Sequence, residues 1–202
     1  MLDPIFAKYA EIFHSHGYRL YMIGGTSRDY LLGIPYTDYD FVTDATPDEE
    51  KSFLLHGEYA FAKFGSVQVR DGGVKLDITT LRKEEAYEDH RHPTKIEFIK
   101  DPKVDCLRRD FTINAIYIDE KGQVLDYVGG LKDLKDRRIR FIGEPKKRIE
   151  EDPLRILRAE RFSKKLGFEI EPKSKQAIEE LHPLVSKLNP AKVKMELAKS
   201  PK

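Results

Sequence analysis

Apolar residues recur along the chain at two spacings, which predict where its helices and strands lie. Between Ile5 and Phe13 they fall three or four positions apart, which predicts an amphipathic helix that stops near Gly17. The same spacing predicts helices at 28–32, 47–55, 152–166, 174–184 and 190–198. Short apolar runs predict strands at 19–23, 39–43, 66–70 and 74–80. Because strand patterns fade after about residue 140, we expect a mixed α/β head followed by a helical segment.

The stretch 82–95 departs from this pattern because it is dense in charge and contains almost no apolar residue. A segment with so little apolar surface to bury is expected to form a mobile loop. Order is expected to resume at 96–99, where isoleucine and phenylalanine return.

Composition and charge exclude several classes of protein. A chain of 202 residues with 40% hydrophobic residues is long enough for one globular domain, or one with a small appendage. Its 36 basic and 35 acidic residues leave a net charge of +1, so nucleic-acid binding would depend on local basic patches. The single cysteine, Cys106, excludes an internal disulfide and a cysteine zinc cluster. No apolar run approaches the roughly 18 residues of a membrane span, and the first residues do not resemble a secretory signal, so we expect a cytoplasmic protein without a membrane segment.

Three aspartates on predicted strands suggest a site for a divalent metal. Asp38 and Asp40 lie two positions apart, so both carboxylates point to the same face of their strand. Asp77 lies on another predicted strand, on the face that it shares with Lys75 and Thr79. Oxygen ligands without cysteine or a spaced histidine pair favour Mg²⁺ over zinc. The alternative is that these acids are solvated residues at strand ends.

A pair of glycines between a predicted strand and a predicted helix suggests a phosphate-binding turn. Gly24 and Gly25 would let the backbone approach a ligand, and the following helix N-terminus would attract an anion. Arg28 adds a permanently charged partner for phosphate. Two glycines before a helix also form ordinary turns. The aspartate pair follows soon after in the sequence, however, and a triphosphate with its metal requires such proximity.

Two arginine-rich segments follow, of which the first covers 108–116. It carries Arg109, Asp110 and Asn114 between apolar residues. Taken alone, this pattern is typical of an amphipathic element with a solvated basic edge.

The second segment contains a candidate reader of nucleotide bases. Asp152 and Arg155 are three positions apart on a predicted helix and face the same way. A carboxylate that accepts from an exocyclic amino group, beside a guanidinium that donates to a ring nitrogen, would admit C and A and reject G and U. Alternatively, Asp152 before a proline is a helix cap. Arg158 and Arg161 continue a basic stripe that either reaches phosphate or is a solvated face.

In this order the motifs resemble the bacterial and eukaryotic type (class II) of tRNA nucleotidyltransferases, the CCA-adding enzymes, and the related bacterial poly(A) polymerases. The matching stretches are 24–29, 32–33 with 38–40, 87–93, 108–116, 126–133 and 151–168, so that the resemblance covers nearly the whole chain. It implies an α+β fold. Residues 1–140 would form a nucleotidyltransferase head of the DNA polymerase beta type, a mixed sheet with flanking helices. Residues 141–202 would form an all-α neck, and the body and tail domains of the family would be absent.

The resemblance also implies a role for each candidate residue. Asp38 and Asp40 would hold Mg²⁺ as the cofactor, and Asp77 would be the third catalytic acid. The substrates would be CTP, ATP and the 3′ end of tRNA, and a two-metal mechanism would need no side-chain nucleophile. The nucleotide-binding residues would be Gly24, Gly25, Arg28, Arg109, Asp110, Asn114, Asp152, Arg155, Arg158 and Arg161, the last four forming the base-selecting template and its surroundings.

Several alternatives stay open within and outside the family. Poly(A) polymerases resemble one another in a Gly-Arg/Lys-Arg/Lys-Phe run, but here residues 62–67 read Ala-Lys-Phe-Gly-Ser-Val, which favours CCA addition. Enzymes that add only the two C residues lack the charged loop, whereas an enzyme that adds only A is not excluded. A non-catalytic nucleotide- or RNA-binding module would be expected to lack one of the three acids, yet all three are present. Productive tRNA binding is expected to need body and tail domains or a partner chain.

Overall fold

The computed structural model describes residues 1–87 and 93–199. The strands are β1 (Leu20–Met22), β2 (Asp38–Thr43), β3 (Ser66–Asp71), β4 (Val74–Thr80), β5 (Arg82–Tyr87), β6 (Pro93–Phe98), β7 (Ile116–Ile118), β8 (Val124–Asp126), β9 (Arg138–Ile139) and β10 (Glu169–Ile170). The helices are α1 (Pro4–Ser15), α2 (Gly24–Leu32), α3 (Pro47–Glu50), α4 (Pro102–Asp105), α5 (Gly130–Lys135), α6 (Pro145–Glu151), α7 (Leu154–Leu166), α8 (Pro172–Leu181) and α9 (Pro190–Ala198). Short 3₁₀ turns lie at Ala62–Phe64, Cys106–Arg108, Thr112–Asn114 and His182–Lys187.

The described residues pack into two compact units that share the chain unevenly. The first unit contains Met1–Lys83, Ile96–Arg108 and Asn114–Tyr127, and the second contains Arg109–Ile113 with the described parts of Glu84–Lys95 and Val128–Lys202. The boundary predicted at residue 140 concerns functional domains and stays a prediction.

The first unit is built on a mixed sheet of six strands in the order β3-β4-β2-β1-β7-β8. Strands β2 and β4 are parallel neighbours, whereas the other adjacent pairs are antiparallel. The mixed α+β fold expected from the sequence is thereby confirmed.

The two faces of this sheet differ because side chains alternate along each strand. Tyr39 and Phe41 of β2, with Leu76 and Ile78 of β4, are at most 7% exposed and belong to the hydrophobic core. Helix α1 covers this core, and its Phe6 ring lies 5.3 Å from that of Phe41. Each large apolar side chain buried in this way contributes about 1.5–3 kcal/mol. The intervening polar residues therefore lie on the opposite face, which carries the candidate acids.

The predicted bounds differ most from the structure in two helices. Helix α2 begins at Gly24 rather than at Arg28, so both glycines lie in its first turn. Helix α3 ends at Glu50, although the prediction extended to residue 55. Its start is fixed by a capping box in which Thr46 and Glu49 exchange hydrogen bonds.

The prediction of a mobile loop at 82–95 is wrong for the residues that the structure describes. Arg82–Tyr87 and Pro93–Phe98 form a two-stranded sheet, and the Ile99 amide continues the pairing by donating to the Leu81 carbonyl at 2.9 Å. The pattern misled because strand pairing is made by backbone groups, which need no apolar side chains. The part of the prediction that concerns 88–92 lies outside the described residues.

The second unit contains helices α5 to α9, of which α7, α8 and α9 were predicted from the helical spacing. Its core includes Phe111, whose ring lies 5.0 Å from that of Phe141 and 5.7 Å from that of Phe162. The expectation of an entirely helical neck needs one correction, because β10 pairs in parallel with β9 over two residues. The Glu171 amide extends this pairing by donating to the Ile139 carbonyl at 2.8 Å. Among the described residues, no helix has the length and hydropathy of a membrane span.

Candidate active site

The three predicted acids lie on one face of the first unit's sheet. In the parallel pairing of β2 with β4, Asp40 stands directly beside Asp77 and Asp38 directly beside Lys75. Neighbouring strands are ~4.8 Å apart, and residues paired in this way point to the same face. Asp38 is exposed, while Asp40 and Asp77 are partly buried. The sheet register therefore sets Asp40 beside Asp77 on the face that also carries Asp38, which the sequence pattern alone could not show.

A lysine lies among these acids. The Lys75 ammonium is 3.1 Å from the Asp77 carboxylate, with side-chain exposures of 36% and 28%. Over 1–87 and 93–199, no three Asp, Glu, His or Cys side chains are gathered closely enough to hold a metal ion. The donor set still fits Mg²⁺, because it consists of carboxylates that share one partly exposed face.

Thr26 is a site residue that the sequence analysis missed. Its hydroxyl accepts a 2.7 Å hydrogen bond from the Asp40 amide and lies 3.4 Å from the Asp38 carbonyl, to which it donates. The first turn of α2 is thereby attached to β2 between the two acids. A threonine directly after two glycines at a helix start was the available signal.

The structure favours glycine strongly at position 24 but not at position 25. Gly24 adopts a positive φ of 63°, and a Cβ there would lie 3.3 Å from the Asp40 Oδ2. Glycine is therefore favoured both by the backbone and by the adjacent carboxylate. A Cβ on Gly25 would make only ordinary contact, 3.5 Å from the Arg28 guanidinium. No described side chain caps the start of α2. The N-terminus of a helix generally favours negative charge.

Arg28 points into the first unit. The residue is 1% exposed. Its Nε and Nη2 atoms each lie 2.8 Å from the Asp29 carboxylate, and its Nη1 donates to the Asn114 side chain at 2.8 Å. The structure thus joins Arg28 to Asn114, two predicted nucleotide-binding residues. Direct phosphate binding by Arg28 stays a prediction.

In the second unit Asp110 and Arg158 form a close ion pair. Arg158 contacts the Asp110 Oδ2 through Nε at 2.6 Å and through Nη2 at 2.5 Å. Burial acts to raise the pKa of Asp110, but the charges of Arg158 and Arg155 and the Phe111 amide outweigh it and hold that pKa below its ordinary value. The Asp110 charge correspondingly raises the pKa of Arg158. The neighbouring Arg109 carbonyl accepts a 2.9 Å hydrogen bond from Arg148.

Asp152 and Arg155 lie in one turn but have different partners. The Asp152 carboxylate accepts from the Leu154 amide at 3.1 Å, as the capping interpretation expects. Arg155 is 6% exposed, and its Nη1 donates to the Arg148 carbonyl at 2.7 Å and to Glu151 at 3.3 Å. Base reading by this pair stays a prediction.

Arg161 is not part of a solvated basic stripe, and that interpretation is wrong for it. Its guanidinium contacts Glu196 at 2.6 Å, and the two side chains are only 10% and 3% exposed. Sequence reasoning also missed Glu151, which contacts both Arg148 and Arg155. The spacing of three and four positions around Glu151 was a usable signal.

Comparison with known proteins identifies the class to which this fold belongs. The mixed sheet and its row of acids lie within residues 20–140, and this range matches the family model of the poly A polymerase head domain. The chain belongs to this family.

Curated relatives of the chain are named CCA-adding enzymes. The protein of Bacillus pumilus is 41% identical over 186 residues, which are 92% of this chain and 46% of that protein. The protein of Ligilactobacillus salivarius is 39% identical over an aligned length of 204, which covers 98% of this chain and 50% of that protein. The chain therefore spans about half the length of the curated relatives that it matches.

Solved structures agree with these sequence relatives. The Bacillus stearothermophilus CCA-adding enzyme in complex with CTP is 34% identical, with a TM-score of 0.87 over 97% of this chain and 48% of that one. A tRNA nucleotidyltransferase with a primer tRNA and an incoming ATP analogue is 32% identical, with a TM-score of 0.76 over 94% of this chain and 54% of that one.

Proposed function

We propose that this chain carries the catalytic and nucleotide-selecting part of a cytoplasmic enzyme that adds C, C and A from CTP and ATP to the 3′ end of tRNA. The observation that carries the proposal is the register of β2 with β4, which sets Asp40 beside Asp77 and places Asp38 on the same face. The relatives named CCA-adding enzymes support this choice of reaction.

In this proposal Asp38 and Asp40 hold Mg²⁺, and Asp77 completes the acidic site. The chemistry that bound Mg²⁺ supplies is polarisation of the RNA 3′-hydroxyl and neutralisation of charge on the departing pyrophosphate. The chain contributes position and charge: Thr26 fixes the β2 backbone between the acids, and Gly24 leaves room beside Asp40.

The nucleotide triphosphate is proposed to lie against the start of α2. Its first turn presents backbone amides at the positive end of the helix dipole, a few residues before the metal-binding acids. Arg28 and Asn114 support that turn from inside the unit. Arg109 and Asp110 are proposed to hold the ribose and the phosphates.

Base selection is proposed to use Asp152 and Arg155. For this, the Asp152 carboxylate exchanges its bond from the Leu154 amide for one from the exocyclic amino group of C or A. Glu151 and the Arg148 carbonyl hold Arg155 close by, so the guanidinium is oriented before a base arrives. Arg158 and Arg161 support this pocket through their ion pairs.

The test is extension of a tRNA that lacks its 3′ CCA, with Mg²⁺ and with each nucleotide alone and then CTP with ATP. Addition of two C residues and one A supports the proposal, and Asp38→Ala serves as the blank. Addition of A alone would instead indicate an A-adding enzyme. If the tRNA is not extended, the assay is repeated with a short acceptor-stem minihelix at high concentration and with the remaining domains of a relative. Failure there as well would contradict catalysis by this chain and favour a binding module.

Poly(A) addition is the second candidate, because the matching family model carries the name of poly A polymerase. The same assay separates the two reactions, since a poly(A) polymerase produces a lengthening ladder with ATP alone. Because the chain spans about half of its relatives, we also propose that productive tRNA binding uses body and tail domains or a partner chain.

A further inference from the structure

Lys75 places a positive charge inside the row of proposed metal-binding acids. It lies two residues before Asp77 on β4 and directly beside Asp38 on β2. Residues at these positions point to the same face of the sheet, so the lysine and the three acids share one small area.

The lysine side chain is directed at this acidic area. Its ammonium lies 3.1 Å from the Asp77 carboxylate, although both side chains are about one-third exposed and have access to water. Asp77 in turn stands beside Asp40. The Lys75 ammonium therefore lies at a surface that carries three carboxylates.

We propose that Lys75 is the internal counter-ion of this acidic surface and competes with a divalent cation for Asp77. In the metal-free protein the ammonium offsets part of the repulsion among the three carboxylates. Entry of the cation displaces it, because two cations so close together repel each other. This inference rests on the proposed function in so far as the same acids bind the metal.

The inference is tested by titrating the full chain with Mn²⁺ and measuring binding by electron paramagnetic resonance. Lys75→Gln is expected to tighten Mn²⁺ binding about three- to tenfold at low ionic strength, since one nearby positive charge is removed. Lys75→Arg keeps the charge and is expected to change binding little.

Lys8→Gln is the matched control. Lys8 forms a similar lysine–aspartate pair with Asp71 in the same unit, at 2.6 Å and with exposures of 56% and 32%. Lys8→Gln removes the same charge from the unit as Lys75→Gln does and is expected to leave the Mn²⁺ affinity unchanged. Adding Asp77→Asn to Lys75→Gln is expected to abolish the tightening, which ties the effect to this carboxylate.

Thermal unfolding gives a second readout that does not depend on activity. In EDTA at low salt, Lys75→Gln is expected to unfold at a lower temperature than Lys8→Gln, and added Mn²⁺ is expected to raise its midpoint more. If Lys75→Gln binds Mn²⁺ no more tightly than wild type does, the counter-ion role is wrong. If Asp40→Asn at the same time abolishes the binding seen in wild type, the proposed metal site still stands. If neither wild type nor Lys75→Gln binds Mn²⁺, both the inference and the proposed metal site are wrong.

Discussion

Glu50 is a buried carboxyl, and replacing it should stabilise the protein relative to wild type by an amount that grows as the pH rises. It ends helix α3, is 0% exposed, and neither of its oxygens has a hydrogen-bond partner among the described residues. Burial, and to a smaller extent the charge of Glu49, raises the pKa of Glu50 from 4.5 to about 9. The folded protein therefore keeps this proton at neutral pH, whereas the unfolded chain loses it.

The size and sign of the effect follow from these two pKa values. Between about pH 4.5 and pH 9 the native state binds one more proton than the unfolded state, so the free energy of unfolding falls as the pH rises. The slope is about 1.4 kcal/mol per pH unit, which amounts to about 4 kcal/mol by about pH 7.5. Glu50→Gln stays neutral at every pH and should remove this loss. Structural relaxation reduces the gain, so we expect about 2–4 kcal/mol.

The assay is urea unfolding of wild type and Glu50→Gln from about pH 5.5 to about pH 8.5. We expect the two free energies to diverge steadily with pH, the variant being the more stable. Glu49→Gln is the control, because the glutamine oxygen can still accept from the Thr46 amide while the neighbouring charge is removed. This variant keeps Glu50, so its free energy of unfolding should change with pH much as that of wild type does. Parallel pH profiles for wild type and Glu50→Gln would refute the reasoning, since they would show that Glu50 ionises normally in the folded protein.

Three further substitutions test the site. Arg158→Met should lower the free energy of unfolding by about 3 kcal/mol, because it leaves the Asp110 carboxylate buried without its main counter-ion; additivity with Asp110→Asn in urea unfolding would contradict a coupled pair. Gly24→Ala should lower the free energy of unfolding by about 1–2 kcal/mol and reduce nucleotide addition, whereas Gly25→Ala, at a position without positive φ, should change both little. Equal losses of stability and activity in the two variants would contradict the steric argument. Thr26→Val should lower the free energy of unfolding by about 1–2 kcal/mol because the Asp40 amide of β2 loses its acceptor, whereas Thr26→Ser should keep most of the wild-type stability in thermal unfolding. A valine variant as stable as wild type would show that this hydrogen bond does not fix the β2 backbone.

Local sequence pattern was enough to predict which face each acid occupies. Asp38 and Asp40 share a face because strands repeat every two residues, and the structure has them on β2 as expected. The closeness of Asp40 to Asp77 is different in kind. It depends on the parallel pairing of two strands that are separated along the chain by a hairpin partner, and nothing local in either strand encodes that pairing.

The arginines show why the rest of the site was harder to predict. Arg28 is held by Asn114, which lies 86 positions later, and Arg161 by Glu196, which lies 35 positions later. A prediction made without knowledge of long-range contacts places a guanidinium in solvent or on a ligand, because most charged side chains are exposed. Only the folded chain supplies the buried acceptors that make these arginines internal. The contact of Arg155 with Glu151 was missed as well, although the two residues are only four positions apart in the sequence.

In both units several charged residues of the proposed site already have an oppositely charged partner within the chain. Lys75 contacts Asp77, Arg158 contacts Asp110, and Glu151 contacts Arg155. At Asp77, binding of a metal ion would therefore exchange one positively charged partner for another. Much of the desolvation of the buried pairs has taken place on folding, so binding starts from oriented groups. The exposed Lys75 pair should consequently influence binding more than stability, because exposed ion pairs contribute about 0–1 kcal/mol. The Asp110–Arg158 pair, which is more buried, should affect both stability and binding. Comparing the effects of substitutions in the two pairs on unfolding and on substrate binding therefore tests whether burial links the two properties.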